Sequence, residues 1–171
     1  MLDVYCEYGL LSLNLPSLVT LNGSGNFRGL KELNMKSLVS SGGSINVDES
    51  SLEYLDLMNL ANVNGWFSVY GNHKLASINL KNLAKVEALY IYSNRALEFG
   101  HFELPSLEIV EGDFYISGEI RSLKLPKIKK IDGDFGIESH VFFNCTGLVD
   151  IAKKLGKDPG CKQNHVPEPY R

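Results

Sequence analysis

The chain has 171 residues, a net charge of −3 and no basic run, which argues against a nucleic-acid-binding surface. Apolar residues make up 44% and charged residues 22%, the balance of a folded domain with a core of its own rather than of a disordered segment. No stretch of 18 apolar residues occurs, so no membrane-spanning helix is expected, and three cysteines allow at most one internal pair.

The opening "MLDVYCEYGLLSLNL" lacks the basic and continuous apolar regions of a signal peptide, and the closing "HVPEPYR" lacks the apolar tail of a lipid-anchor signal. Between them a Leu-x-Leu-x-x-Leu core recurs. It begins at Leu13, Leu33, Leu55, Ile78, Phe102 and Leu123, and its third residue falls at Leu15, Met35, Leu57, Leu80, Leu104 and Leu125. The steps are 20, 22, 23, 24 and 21 residues. Leu10, Leu30, Leu52, Leu75 and Ile120 stand three positions ahead of a core, and the fifth unit carries an insertion after Leu97.

A second alternation follows each core. It reads Val63-x-Gly65-x-Phe67-x-Val69, Val110-x-Gly112-x-Phe114-x-Ile116 and Ile131-x-Gly133-x-Phe135-x-Ile137. Weaker versions end at Phe27 and at Ile45-x-Val47, and aligning unit four on Asn94 turns Leu89 and Ile91 inward with one residue deleted ahead of them. A period of two means strands. Two short strands per repeat of 20–24 residues predict a mainly β, right-handed parallel β-solenoid of about six turns, its inward Leu, Val, Ile and Phe stacked in files. Gly23, Gly43, Gly65, Gly112 and Gly133 are expected to let the backbone bend at a corner. Pro16, Pro105 and Pro126 follow the first strand, where no ladder donor is needed. Asn72 and Asn94, with Ser50 in register, mark another corner, where such side chains bond the turn backbone of the next coil.

Residues 1–139 are thus expected to form the coil and 140–171 its cap and tail, one domain overall. Open ends of a coil aggregate unless covered. "TGLVDIAKKLGK" puts Leu148, Ile151, Ala152 and Leu155 on one face of a capping helix over about 146–155, with Thr146 or Asn144 as N-cap and Gly156 as its stop. Cys145 and Cys161 flank that helix as the candidate disulfide, against the alternative of two thiols in a reducing compartment. The N-terminal end shows no comparable cap, which points to a truncated parent or a further segment upstream.

With "LSLNLPSLVTLNGS", "LPSLEIVEGDFYIS", "LPKIKKIDGDFGIE" and the closing "FNCTGLVDIAKKLGKDPGCK" in view, residues 10–161 resemble the leucine-rich receptor L-domain class. They are most similar to the fungal cell-wall organisation and spore-wall proteins, which are GPI-anchored. The resemblance implies a secreted, glycosylated, non-enzymatic protein of the cell wall or cell surface, acting in wall integrity or surface recognition. The sequons Asn22-Gly23-Ser24 and Asn144-Cys145-Thr146 fit secretion, with Asn22 beside an accessible corner and Asn144 against the candidate disulfide.

The outward residues of the first strand (Asn14, Asn34, Asp56, Asn79, Glu103, Lys124) read as a solvated column. Those of the second strand change along the coil. Units one and two carry Ser24, Asn26, Arg28, Ser44, Asn46 and Asp48, and unit six carries Asp132, Asp134 and Glu138. Between them lie Trp66, Tyr70, Tyr90, Tyr92 and Tyr115, the candidate binding residues. Rings on strands about 4.8 Å apart form a flat aromatic face that suits sugar rings or a protein partner. The alternatives are a dimer contact or cover by another segment, or the plain preference of aromatics for strands.

His73, His101, His140 and His165 share no metal-ligand spacing, and no nucleophile elbow, phosphate loop or dinucleotide fingerprint occurs, so no metal or cofactor is expected. Asp113 and Asp134 stack in adjacent turns beside Glu111 and Asp132. Paired carboxylates can cleave glycosides, but the short corners are expected to build no cleft. The sequence therefore predicts a non-catalytic wall or surface protein whose partner is a wall polysaccharide or a surface protein. A receptor-type or secreted effector module that docks a protein on the aromatic face is the alternative.

Overall fold

The computed structural model describes residues 1–6, 11–98, 100–158 and 160–163, the last four as backbone. Eight parallel strands lie side by side in one sheet: Leu2–Tyr5, Gly25–Arg28, Ile45–Asp48, Asn62–Tyr70, Lys85–Tyr92, Phe114–Gly118, Phe135–Ser139 and Gly160–Gln163. The two-residue strands Thr20–Leu21, Ser40–Ser41, Ile109–Val110 and Lys130–Ile131 extend it at one edge of each turn. Across the core the first strands of the repeats pair as Leu11–Asn14 with Leu30–Asn34, Tyr54–Asp56 with Ser77–Asn79, and Gly100–Glu103 with Ile120–Lys124. The chain is therefore a parallel β-solenoid of about six turns with one C-terminal helix.

Two strands were not legible as such beforehand. Leu2–Tyr5 adds a rung ahead of the first full turn, and Gly160–Gln163 adds one after the helix, within the stretch expected to be tail. The first-strand face is also three separate pairs rather than one ladder.

The leucine files are present. Met35, Leu57, Leu80, Leu104 and Leu125 are buried in one column, with Leu15 partly covered at its open end. The column three residues on (Leu38, Leu60, Leu83, Leu107, Ile128) is buried as well. The two columns are the ends of a β-turn: the amide of Leu107 donates to the carbonyl of Leu104, and Ile128 to Leu125, with the same bond in every unit. Pro16, Pro105 and Pro126 take the second position of that turn, whose φ they pre-set. Leu-Pro-x-Leu is thus one hydrogen-bonded turn with both flanks in the core. Leu30, Leu52, Leu75 and Ile120 form a further buried file, joined by Leu97, whose amide donates to Asn94 as that of Leu75 does to Asn72. Leu10, expected in this file, lies outside the described residues.

The corner glycines have a different reason from the one expected. Of the five, none adopts a positive φ. A Cβ on Gly65 would stand 2.6 Å from the amide nitrogen of Ser44, and one on Gly133 2.5 Å from the carbonyl carbon of Gly112. At Gly43, Gly65 and Gly133 close approach of successive turns, not a bend, excludes side chains, whereas a Cβ on Gly23 would meet only an ordinary contact at 3.5 Å.

The opposite corner is held by side chains. Asn72 is fully buried, Asn94 and Ser50 nearly so. The amide of Ser50 donates to Asn72 Oδ1 at 2.9 Å, and that of Asn72 to Asn94 Oδ1 at 2.9 Å. Asn72 Nδ2 donates to the carbonyls of Val47 (2.8 Å) and Tyr70 (3.1 Å), and Asn94 Nδ2 to those of Val69 and Tyr92. Each side chain therefore reaches the backbone of the preceding turn and of its own, and Asn72 Nδ2 also meets Asn94 Oδ1 of the following turn at 3.2 Å.

The helix spans Thr146–Leu155 and buries Leu148 and Ala152 against the last turns, with Ile151 and Leu155 partly covered. Thr146 is its first residue, so Thr146 is not the N-cap; Cys145 occupies that position, and the Asn144 side chain accepts the Thr146 amide at 3.0 Å. Gly156, at φ 65°, ends the helix: its amide reaches Lys153, and that of Lys157 reaches Ala152, a Schellman stop.

Replacing Asn72 with Ala leaves the Ser50 amide and the Val47 carbonyl buried without their partner. The expected loss is about 3 kcal/mol, read as a lower urea midpoint. A loss below about 1 kcal/mol shows that the corner does not depend on this side chain.

Candidate functional site

The eight-stranded sheet turns one set of side chains to the core and the other to solvent. Following strand register, one outward column runs Asp3, Asn26, Asn46, Ser68, Tyr90, Tyr115, Gly136, Gly160. Its neighbour runs Tyr5, Arg28, Asp48, Tyr70, Tyr92. The face is thus polar at one end, aromatic in the middle and open at the other.

Unit four is one residue shorter than unit three at the corner, as the alignment on Asn94 implied. The register shifts between Val86 and Ala88, which brings Ala88 opposite Trp66 and Tyr92 opposite Tyr70. The small Ala88 side chain leaves room for the indole, which packs edge-on against Tyr90 with ring centroids 6.3 Å apart. Tyr70 and Tyr92 lie 4.8 Å apart, and Tyr92 and Tyr115 6.2 Å apart. All five candidate residues therefore stand on one sheet face in two contact groups: Trp66 with Tyr90, and Tyr70 with Tyr92 and Tyr115. Trp66 is 53% exposed and Tyr70 37%, while Tyr90, Tyr92 and Tyr115 are half-buried. The exposed rings Tyr5, Tyr54 and Phe142 are not part of this cluster.

Carboxylates fasten two of the rings. The Tyr90 hydroxyl donates to Asp113 Oδ2 at 2.8 Å, and the Tyr115 hydroxyl to Glu138 Oε2 at 2.7 Å. Asp113 Oδ1 in turn accepts the backbone amide of Asp134 at 2.8 Å. That amide and the Tyr90 hydroxyl hold the Asp113 carboxyl below its ordinary value. Burial, then the bond and charge of Asp113, then the charges of Asp134 and Glu87 push the Tyr90 phenol up to about 12. Tyr115 is raised too, by burial first and then by Glu138. At the polar end, burial raises the Asp48 carboxyl against the opposing pull of Arg28.

The stacked acids do not sit on a plain edge. Asp113, Asp134, Glu138 and Asp158 line a shallow hollow of about 430 Å³ together with Tyr90, Tyr115 and Gly136. It is a shallow, open depression on the sheet face and not the corner-built cleft whose absence was expected. The cause is the strand register: after the rings of Tyr90 and Tyr115 the column continues with Gly136 and Gly160, which have no side chain to fill the surface. The sequence signal was present as Gly in a strand position facing out, the usual mark of close approach by something else.

Asn22 and Asn144 are both exposed. Cys145 is half-buried at the helix start, and the backbone of Cys161 lies opposite Ile137 on the last rung; the side chain of Cys161, and with it the expected bridge, lies outside what is described. His165 lies outside the described residues as well. Among the described residues no three His, Cys, Asp or Glu side chains are grouped to hold a metal ion, and no helix is long and apolar enough to cross a membrane. Comparison with protein-family models, curated proteins and solved structures finds no significant match for this chain.

A raised phenol is a folded-state property with consequences for stability. Tyr90 is held in its neutral form, so its contribution is complete below the ordinary tyrosine value of 10.0 and is lost as pH rises through about 12. Titrating tyrosinate absorbance is expected to show one late phenol near 12 that is missing from Tyr90→Phe and moved earlier in Asp113→Asn. A Tyr90 that titrates with the exposed tyrosines contradicts this geometry.

Proposed function

We propose that this chain is a non-catalytic protein of the fungal cell wall or cell surface that binds wall polysaccharide through its aromatic sheet face. The observation that carries the reading is the fastened ring cluster. Five aromatic side chains share one face, and two tyrosine hydroxyls are bonded to carboxylates rather than turned to solvent. Rings held in place offer apolar surface to the flat face of a sugar at little entropic cost.

The extracellular setting is supported by the Leu-Pro-x-Leu…Gly-x-Phe-x-Ile pattern and by the exposure of Asn22 and Asn144 as glycan acceptors. A Cys145–Cys161 bridge would fit the same setting, since disulfides belong to oxidising compartments. That bridge would tie the helix start to the last rung. Under mild reduction the unfolding free energy is expected to fall by about 3 kcal/mol; no change means the cysteines are unpaired.

Replacing Trp66, Tyr90 and Tyr92 together with Ser tests the face. Retention on insoluble β-glucan and chitin should drop at least tenfold while the circular-dichroism spectrum keeps its β signature. Unchanged retention removes the face as a polysaccharide site. Loss of a bound surface protein instead, or of a self-association seen by sedimentation, assigns the face to a protein partner or to a dimer.

A further inference from the structure

We infer that Asn22–Gly23 is a site of spontaneous modification, where the Asn22 side chain closes on the backbone and becomes aspartate or isoaspartate, while the matching Asn64–Gly65 is protected by the fold. The inference does not depend on the polysaccharide reading.

Asn-Gly occurs twice in the chain, and the coil sets both copies at the same place. Leu21 is in register with Ser41, and Ser41 with Val63. The pair that follows is Asn22–Gly23 in the first turn, Gly42–Gly43 in the second and Asn64–Gly65 in the third. The local chemistry of the two Asn-Gly pairs is the same, and their surroundings differ.

The reaction needs a nucleophile, an electrophile and room. The ionised amide nitrogen of the glycine attacks Cγ of the asparagine. The bond from Cγ to the side-chain nitrogen breaks, and ammonia leaves with the proton that the glycine amide gave up. The product is a five-membered succinimide, which water opens at one carbonyl to aspartate or at the other to isoaspartate. Glycine is the favourable second residue because no Cβ shields its amide.

All three are present at Asn22. Its side chain is exposed, in the bend between Thr20–Leu21 and Gly25–Arg28. Neither that side chain nor the Gly23 amide has a hydrogen-bond partner among the described residues. The bonds that hold the bend use other groups: the Leu21 carbonyl accepts the Gly42 amide at 2.7 Å, and the Gly23 carbonyl accepts Ser41 Oγ at 3.0 Å. A Cβ on Gly23 would find its nearest neighbour 3.5 Å away, so a ring has space.

The Asn64 side chain is exposed too, so contact with water does not separate the two sites. Asn64 stands inside the continuous strand Asn62–Tyr70, which is paired on both sides. An extended backbone carries the Gly65 nitrogen away from the Asn64 Cγ, and ring closure must rotate ψ far out of the strand region. Gly65 is buried, and the space beside it is filled: a Cβ there would stand 2.6 Å from both the amide nitrogen and Oγ of Ser44. Closing the ring would pull this strand out of its ladder.

The nitrogen expelled from Asn22 is the one a glycan would occupy, so conversion erases the Asn22-Gly23-Ser24 sequon and adds a negative charge.

The full chain, produced without glycosylation, is incubated in neutral and in mildly alkaline buffer and mapped by peptide mass spectrometry, with isoaspartate labelled by isoaspartyl methyltransferase. Asn22 is expected to convert roughly tenfold faster than Asn64, and faster at the higher pH because the ionised amide is the nucleophile. In urea above the unfolding midpoint the two rates should converge. Gly23→Ala, whose added Cβ meets only an ordinary contact, should slow Asn22 by roughly tenfold and leave Asn64 unchanged. Equal rates at the two sites in the folded chain overturn the protection. An Asn22 that stays intact in the folded chain and converts only in urea overturns the site, and conversion indifferent to Gly23→Ala overturns the ring-closure route.

Discussion

The structure depends on one buried corner. Stacking parallel turns puts the second corner of each repeat inside the protein, where an unpaired amide or carbonyl costs more than almost any surface contact returns. Ser50, Asn72 and Asn94 answer this by placing a side chain, not a neighbouring strand, against those groups. An asparagine amide is well suited, because it accepts with one atom and donates twice with the other. The bonds also set register: once Asn72 meets Ser50 and Val47, the turns cannot slide by a residue without orphaning buried groups on both. The leucine turns on the other side of the core have no such exactness, since apolar files tolerate small shifts. Register is set by the polar corner and filled in by the apolar one.

Fixed register is what allows an outward face to be built. The inward positions are committed to Leu, Ile, Val and Phe by burial. The outward ones carry no such demand, so they can differ from turn to turn: Asn26 and Asn46, then Tyr90 and Tyr115, then Gly136 and Gly160. The single irregularity in the sheet, between Val86 and Ala88, falls inside the aromatic run. A corner shorter by one residue makes Ala88 rather than a larger side chain the neighbour of Trp66 and seats the indole against Tyr90. A ladder without that shift would distribute the same rings differently.

The parts of this arrangement that were legible in the sequence are those with a period. Leu-x-Leu-x-x-Leu announces an inward file and its turn, Val-x-Gly-x-Phe-x-Ile a strand, and the spacing of Leu148, Ile151, Ala152 and Leu155 a helix face. The outward rings came from the same alternation read in reverse. What was missed lacks a pattern of its own. Gly160-Cys161-Lys162-Gln163 has no apolar alternation; it is a strand because Phe135–Ser139 offers it an unpaired edge. Leu2–Tyr5 is too short to show a period, and is a strand because Gly25–Arg28 does the same. The hollow was missed for a related reason. Glycines facing solvent leave no mark in a hydrophobicity pattern, and Asp158 lies well beyond the other acids, past a helix.

Capping and site building are the same event at the C-terminal end. The helix covers the last leucine turns, and its Schellman stop at Gly156 reverses the chain so that Lys157 lands on the carbonyls of Asp132 and Gly133. That anchor places Asp158 on the rim of the hollow and aims the next residues along the free edge of Phe135–Ser139. An open edge is an aggregation hazard for any solenoid. Here the strand that extends it begins with a glycine in register with Gly136, so the edge is covered without filling the surface in front of Tyr115.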